Sequence, residues 1–228
     1  MSRVLIVVAH PDPTSFTAQW AAASEDGARA AGQEVEVADL YASGFDPVAE
    51  DRPQSSVDAL VRADAVVFHF PVWWYGPPAI LKGWFDRVLA ENVFFAPGRV
   101  FNAAPLAGKR ALFCASAGAS VEECGPSGRS GDLRLVLWPL AHALRFCGFR
   151  VLEPYLAPGI DAIASPARKI LMEAQMAQIL RDQSGRMAAL DRLPIWASNP
   201  DSDFDAAGRL KPGAPVFSPF IRHDDGLD

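Results

Sequence analysis

Residues 66–89 read VVFHFPVWWYGPPAILKGWFDRVL, and this stretch decides the fold. Its first five residues, 66–70, are mostly β-branched and aromatic, which predicts a strand buried on both faces inside a parallel sheet. Pro71 ends that strand. Pro77 and Pro78 have a fixed φ that suits the first turn of a helix, and we expect this helix to continue through residues 79–87. The stretch therefore predicts a strand, a short loop and a helix.

Three consecutive aromatic residues, Trp73, Trp74 and Tyr75, occupy the predicted loop. Open α/β sheets bind their ligands at the carboxyl ends of interior strands, where this loop lies. Stacking aromatics beside exposed backbone amides suit a flat ring system with polar edges. The alternative is that Trp73 and Trp74 only pack in the core or at an oligomer interface.

The rest of the chain alternates between strand and helix patterns. Further strands are predicted at residues 3–9, 34–39, 109–116 and 151–156. Further helices are predicted at residues 16–31, near 57–62, at 133–147, and from Ser165 or Pro166 to about residue 192. This alternation predicts an α/β fold with a doubly wound, five-stranded parallel sheet.

Composition limits the classes of protein that fit. Half of the 228 residues are apolar and the net charge is −6, so we expect one soluble domain and no nucleic-acid partner. The N-terminal apolar run is too short for a membrane span and lacks the features of a signal peptide, which predicts a cytoplasmic protein without membrane insertion. Cys114, Cys124 and Cys147 are odd in number and lack CxxC spacing, which argues against a disulfide framework or a metal site.

The loop after the first strand reads HPDPTSFT and has neither a dinucleotide nor a P-loop glycine motif. Thr14, Ser15 and Thr17 offer hydroxyls beside the amides of a helix N-terminus, which suits a phosphate group. The alternative is plain N-capping, which needs one hydroxyl.

In the flavodoxin-like strand order, the hydroxyl loop and the aromatic loop meet over one crevice. A phosphate cradle beside an aromatic wall indicates a flavin. Ser116 and Gly118, at the end of the fourth strand, provide a third side.

Four segments now carry a resemblance to a known family: FPVWWYGPPAILKGWFDRV, AHPDPTSF, LAGKRAL and GDLRLVLWPLAHALRFCGFRVLEP. They resemble the NAD(P)H:quinone oxidoreductases, the DT-diaphorase-like flavoproteins, over residues 3–155. The resemblance implies a flavodoxin-like homodimer that binds FAD, with FMN less expected. It also implies ping-pong hydride transfer from NADPH or NADH to a quinone or similar aromatic acceptor.

The resemblance places the cofactor and the chemistry on particular residues. The predicted domain covers residues 1–195, and residues 196–228 form an extension that packs on it or on a partner subunit. Trp74, Tyr75, Cys124 and Ser130 are the candidate catalytic residues. The implied flavin contacts are His10, Thr14, Ser15, Phe16, Thr17, Pro71, Val72, Trp73, Trp74, Tyr75, Ser116, Ala117, Gly118, Ala119 and Arg168.

Several positions depart from the family pattern. Thr17 stands where the family usually has Asn, and residues 116–119 read Ser-Ala-Gly-Ala in place of Thr-Thr-Gly-Gly. Cys124 and Ser130 fall where the animal enzymes have Tyr and His beside the flavin. Arg129 is a candidate to stabilise negative charge there.

Other functions remain open at this point. Some members of the family regulate potassium efflux systems, so a flavin-binding regulatory subunit with low turnover is the main alternative. An α/β-hydrolase is disfavoured because G-x-S-x-G is absent around Ser116, Ser127 and Ser130. His142 is expected to pack in the core or at an interface.

Overall fold

A computed structural model describes residues 2–161 and 165–224. Six strands alternate with five α-helices in this part of the chain. The strands are β1 (Arg3–Val8), β2 (Glu34–Asp39), β3 (Ala65–Pro71), β4 (Arg110–Ala117), β5 (Arg150–Val151) and β6 (Tyr155–Pro158). The helices are α1 (Phe16–Ala30), α2 (Gln54–Arg62), α3 (Ala79–Val88), α4 (Leu133–Phe146) and α5 (Pro166–Ala188). Short 3₁₀ turns occupy Phe101–Ala103 and Asp201–Asp203.

The sheet is parallel, with the strand order β2-β1-β3-β4-β5, and β6 also pairs with β4. This is the flavodoxin-like order that the sequence predicts. Every residue of β3 is buried, because this central strand is covered by helices on both faces. One core cluster joins the sheet to α1 and α5, and the other joins it to α2, α3 and α4. The prediction of a doubly wound α/β fold is confirmed.

The single strand predicted at residues 151–156 is wrong. The structure has two short strands there, β5 and β6, separated by residues 152–154. Pro154 has no amide hydrogen for a ladder bond, and the amide of Glu153 donates to the carbonyl of Pro194 at 2.8 Å. Leu152 forms an isolated bridge with Ile195, so the incoming extension interrupts the strand.

The last helix is shorter than predicted. It ends at Ala188, four residues before the expected boundary at 192, and its final carbonyls accept bonds from the amide of Ala189. The chain then forms turns as far as Pro194, which cannot continue a helix. No helix within residues 2–161 and 165–224 is long and apolar enough to cross a membrane.

The C-terminal extension packs on its own domain in the described residues. The amide of Trp196 donates to Val151 at 2.9 Å, and a guanidinium nitrogen of Arg145 donates to the carbonyl of Asn199 at 2.9 Å. The ring of Phe220 stacks on Trp138 of α4 at 4.5 Å. The predicted extension also includes residues 225–228, which lie outside the described residues.

Candidate flavin site

Three loops meet at the carboxyl edge of the sheet. The loop after β1 contacts the loop after β3 through His10 and Trp73, whose ring centroids lie 5.8 Å apart. The loop after β3 contacts the end of β4 through the amide of Val72, which donates to the carbonyl of Ser116 at 2.7 Å. The structure therefore brings the hydroxyl loop, the aromatic loop and the residues after β4 together, as the sequence predicts.

Residues 73–76 form a tight two-residue hairpin, which we call the aromatic turn. The amide of Trp73 donates to the carbonyl of Gly76 at 2.9 Å, and the amide of Gly76 returns a bond at 3.0 Å. Trp74 and Tyr75 occupy the two central positions with φ of 48° and 60°. Positive φ at both positions defines a type I′ turn, which usually contains Asn and Gly. Two bulky residues in this conformation are under backbone strain, and such strain is concentrated at functional sites.

The aromatic turn presents its side chains to solvent. Trp73 is 41% exposed, Trp74 is 97% exposed and Tyr75 is 66% exposed. The alternative that Trp74 packs in the core of its own chain is therefore excluded. An indole this exposed is free to stack against a planar ligand or to meet another subunit. Pro71, by contrast, is buried as the last residue of β3.

The loop after β1 uses its polar side chains in part to shape itself. The Thr14 hydroxyl donates to Asp12 Oδ1 at 2.7 Å, and the amide of Thr14 donates to the same oxygen at 2.8 Å. These two hydrogen bonds hold the pKa of Asp12 below its usual value. The Ser15 hydroxyl oxygen accepts from the amide of Ala18 at 3.2 Å and caps α1. The plain N-capping that we considered is therefore present, at Ser15.

Capping leaves several donors of this loop unused. Ser15 still has its own hydroxyl hydrogen, whereas Thr14 has spent its hydrogen on Asp12. The amides of Phe16 and Thr17, in the first turn of α1, have no acceptor among residues 2–161 and 165–224. Thr17 itself is 3% exposed, so its hydroxyl points away from bulk solvent. Free amides at a helix N-terminus favour an anionic ligand.

The other two loops also leave backbone amides free. In the described chain, the amides of Trp74 and Tyr75 find no acceptor, and neither do those of Gly118 and Ala119. Ser116 and Ala117 are buried at the end of β4, while Gly118 is exposed. The edge thus combines exposed aromatic rings with unpaired peptide donors on three sides. This set of groups fits a flavin, which offers a planar ring, carbonyl acceptors and a phosphate.

Residues 118–132 form a compact loop organised by Glu123, a residue that our sequence reading did not single out. The Glu123 carboxylate accepts from the amide of Ser120 at 3.1 Å and from Arg129 Nε at 2.7 Å, and its backbone carbonyl accepts from the amide of Ser130 at 3.1 Å. The Ser120 amide and the Arg129 guanidinium lower the pKa of Glu123. Ser120, three residues before Glu123, was the available sequence signal, because such a pair commonly closes a turn. Arg129 is thus already paired with a carboxylate.

Cys124 and Ser130 both belong to the residue 118–132 loop. The Cys124 thiol donates to the carbonyl of Ala119 at 3.6 Å. Burial raises the pKa of this thiol, and the neighbouring Glu123 carboxylate raises it further, so the group is a neutral thiol at neutral pH. Arg168, in the first turn of α5, is exposed and close enough to Glu122 to help lower the pKa of that carboxyl, after hydrogen bonds from the Glu122 backbone and Ser120.

The described residues offer no candidate metal site. Among the described residues, no group of three or more His, Cys, Asp or Glu side chains is arranged to hold a metal ion.

Comparisons with known proteins agree with this architecture. The family model of the flavodoxin-like fold matches residues 2–180, so the chain belongs to that family. The mouse ribosyldihydronicotinamide dehydrogenase [quinone] is 35% identical over 210 residues, which cover 78% of this chain and 90% of the mouse protein. The rat NAD(P)H dehydrogenase [quinone] 1 is 34% identical, covering 75% of this chain and 74% of the rat protein. Within the flavodoxin-like fold, the chain is therefore a member of the NAD(P)H:quinone oxidoreductase family.

A solved structure agrees over most of the chain. A proposed quinone reductase from Klebsiella pneumoniae aligns with a TM-score of 0.78 at 26% identity, covering 93% of this chain and 95% of that protein. The alignment thus extends beyond the sheet.

Proposed function

We propose that this protein is a flavin-dependent NAD(P)H:quinone oxidoreductase. The observation that carries the proposal is the edge at which exposed Trp74 and Tyr75 lie beside three loops with unpaired backbone amides. The quinone dehydrogenase relatives are similar in sequence to this chain over most of its length. Acceptors related to quinones, such as other electron-poor aromatic rings, fit the same open site.

Each of the three loops would bind a different part of the cofactor. His10, Ser15 and the amides of Phe16 and Thr17 would bind its phosphate side. The aromatic turn, with Pro71 and Val72 behind it, would line the ring, and residues 116–119 would contact the ring edge. When bound, a flavin accepts a hydride from NADPH or NADH and passes two electrons to a quinone.

The chain's own contribution is mainly positioning and electrostatics. Trp74 and Tyr75 would hold planar partners in place, which would bring the reacting atoms together. The amides of Gly118 and Ala119 would stabilise negative charge that develops on a bound flavin. Cys124 and Ser130 are the side chains available nearby to hold a proton, and the raised pKa of Cys124 makes it a weak acid for this purpose.

We further propose FAD as the cofactor and a homodimer as the working unit, with Arg168 on the adenosine side. Support comes from the family resemblance and from the exposed aromatic turn, which a cofactor and a second subunit would cover. FMN is the less favoured cofactor. A cytoplasmic location also remains a prediction from the sequence.

The regulatory-subunit alternative receives no support from the comparisons described above, whose relatives are named as dehydrogenases. A regulatory subunit would bind flavin but turn over quinone slowly. Turnover measurements therefore separate the two functions directly.

The deciding experiment is anaerobic titration of purified, flavin-loaded protein with NADPH, followed by steady-state kinetics with menadione. We expect bleaching of the flavin by one equivalent of NADPH and parallel double-reciprocal lines, because donor and acceptor use one pocket in turn. Trp74→Ala should lose nearly all bound flavin, whereas Trp196→Phe, at an aromatic residue of the extension, should retain it. Intersecting lines would contradict the shared pocket, and negligible menadione turnover would contradict the enzyme.

A further inference from the structure

A second cavity, separate from the flavin edge, lies between α4 and the C-terminal extension. Its volume is about 710 Å³, within the range of roughly 300–1,000 Å³ that is typical of small-molecule sites. It is lined by residues 100–101, by His142 and Arg145 near the end of α4, and by parts of residues 199–224. None of the lining residues belongs to the three loops of the flavin site. We call this space the tail cavity.

The wall that the extension contributes is a folded structure. Asn199 is 6% exposed, and its side-chain amide donates to Asp203 Oδ2 at 2.9 Å and to the carbonyl of Pro215 at 2.7 Å. His223 bonds to the carbonyl of Ala214 at 2.9 Å. These bonds tie together segments distant in the sequence, so the cavity has a defined shape.

Charged side chains of both signs line the tail cavity. Arg145, Arg209 and Arg222 line it, against two acidic residues, Asp201 and Asp224.

Arg145 and Arg222 are the cations with capacity left for a ligand. Arg145 is partly buried, and the only bond of its side chain to a described residue goes to the carbonyl of Asn199. Burial lowers the pKa of Arg145, and the charge of Asp201 partly offsets this effect. No carboxylate of the described chain comes within ion-pair distance of the Arg145 guanidinium. Arg222 is exposed and has no ion pair within the described chain, whereas Arg209 pairs with Asp205 at 3.5 Å.

The remaining lining suits an aromatic ring. Phe101, Phe204 and Phe220 contribute three phenyl groups. His142 stacks on Trp138 at 4.5 Å, and its Nδ1 is buried without a partner in the described chain.

From this geometry we propose that the tail cavity is a second binding site, for a planar aromatic molecule with one negative charge. Its carboxylate or sulfonate bonds to Arg145 and Arg222, and its ring lies among the three phenylalanines. Asp201 and Asp224 disfavour a second negative charge. The tail cavity shares no lining residue with the three loops of the flavin site.

The test is calorimetric titration of the flavin-loaded protein with 2-naphthoate, with the neutral 2-naphthamide as the matched ligand. We expect one naphthoate site per chain that saturating menadione does not displace. Arg222→Gln should weaken naphthoate roughly tenfold, as loss of a charge-assisted bond implies, and Arg145→Met should do the same. Arg192→Gln, at an exposed arginine of another surface, should change the affinity by less than about twofold.

Three results would overturn the proposal. The first is equal affinity for naphthoate and naphthamide. The second is displacement of naphthoate by menadione, which would place it in the quinone pocket. The third is an absence of naphthoate binding, as would follow if a second copy of the chain covers the cavity.

Arg222 is exposed, so its variant keeps the test decisive even if Arg145→Met fails to fold. Menadione turnover should be unchanged in Arg222→Gln, which separates this test from the proposed enzyme activity.

Discussion

At the scale of single residues, Cys124 and Ser130 distinguish this chain from the animal enzymes that it resembles. A neutral thiol with a raised pKa and an alcohol are poor substitutes for a group that titrates near neutrality. Glu123 holds Arg129, so that guanidinium is not free in this structure to take over their role. We therefore expect backbone amides to stabilise the negative charge of the reduced flavin, and no side-chain substitution removes these groups.

We expect Cys124→Ala and Ser130→Ala each to slow flavin reduction by less than about tenfold, against the 10² to 10⁴ typical of a general acid. Stopped-flow reduction by NADPH measures this rate directly. The double variant Cys124→Tyr/Ser130→His should retain flavin and reduce it faster near neutral pH. A loss of a hundredfold in either alanine variant, with flavin still bound, would make that residue catalytic.

His69 is a second residue with a testable consequence. It is fully buried in β3, and its Nε2 lies 2.8 Å from the Ser24 hydroxyl. Gln183 Nε2 donates to the same hydroxyl oxygen at 2.7 Å. Burial lowers the pKa of His69 to about 3.

The unfolded chain binds a proton at His69 below about pH 6.5, whereas the folded chain does not until about pH 3. Stability from this group is therefore present above pH 6.5 and is lost as the pH falls towards 3. Between pH 6.5 and 5, wild type should lose about 2 kcal/mol more free energy of unfolding than His69→Gln. Denaturant unfolding of both apoproteins measures the difference, and parallel pH profiles would contradict the assignment.

At the scale of elements, the aromatic turn combines a strained backbone, which lowers the stability of the fold, with exposed aromatic rings. Its strain follows from two L-residues at positive φ, and the turn lies at the candidate site. The sequence placed these three aromatics on a strand-end loop, because β-branched runs and prolines act locally. The sequence did not predict the left-handed backbone of Trp74 and Tyr75, since these two positions lack Asn and Gly, the usual residues of a type I′ turn.

We expect Tyr75→Gly to raise the free energy of unfolding of the apoprotein by about 1 kcal/mol, because glycine adopts positive φ without strain. The same change should weaken flavin binding, because it removes one ring of the wall. Tyr75→Phe keeps both the strain and the ring, so it should leave both quantities near wild type. A less stable Tyr75→Gly apoprotein would show that the turn is not strained.

Helices α1 and α5 cross closely on the face of the sheet that lies opposite α2, α3 and α4. A Cβ built on Gly27 of α1 would lie 2.6 Å from Ser184 Cα of α5, whereas a Cβ on Gly185 meets nothing within 4 Å. Gly27→Ala should therefore cost about 1–3 kcal/mol of stability. Gly185→Ala should stabilise the helix by about 0.5–1 kcal/mol. Thermal unfolding of the two variants tests the pair, and a neutral Gly27→Ala would contradict the close crossing.

Elements that depend on distant contacts escaped the sequence reading. The strand predicted at residues 151–156 looked continuous because its residues are apolar, but its middle pairs with Ile195 of the extension. The role of Glu123 escaped for a similar reason, since a Glu in a polar loop has no pattern that marks its partners. The strand order was predictable because the first loop lacks the glycine motifs of the other doubly wound folds, and the meeting of the three loops follows from that order.

At the scale of the whole molecule, the chain buries two apolar clusters on either side of the sheet yet leaves the aromatic turn in solvent. The extension does not cover it, because its described contacts run along α4 and β5. A surface that exposes Trp73, Trp74 and Tyr75 together is unusual for a monomer. A bound cofactor and a second copy of the chain would each remove part of this apolar area from water.

We therefore expect a homodimer of two 24.6 kDa chains and FAD as the released flavin. Light scattering after size exclusion measures the assembly, and mass spectrometry of the heat-released cofactor identifies the flavin. If the interface covers the cofactor, FAD should shift the equilibrium towards the dimer, because a ligand stabilises the state that binds it. Arg168→Gln should weaken FAD and leave FMN binding unchanged, whereas Arg181→Gln, on an exposed position of the same helix, should alter neither. A monomer in the presence of FAD, or FMN as the sole released flavin, would refute this assembly.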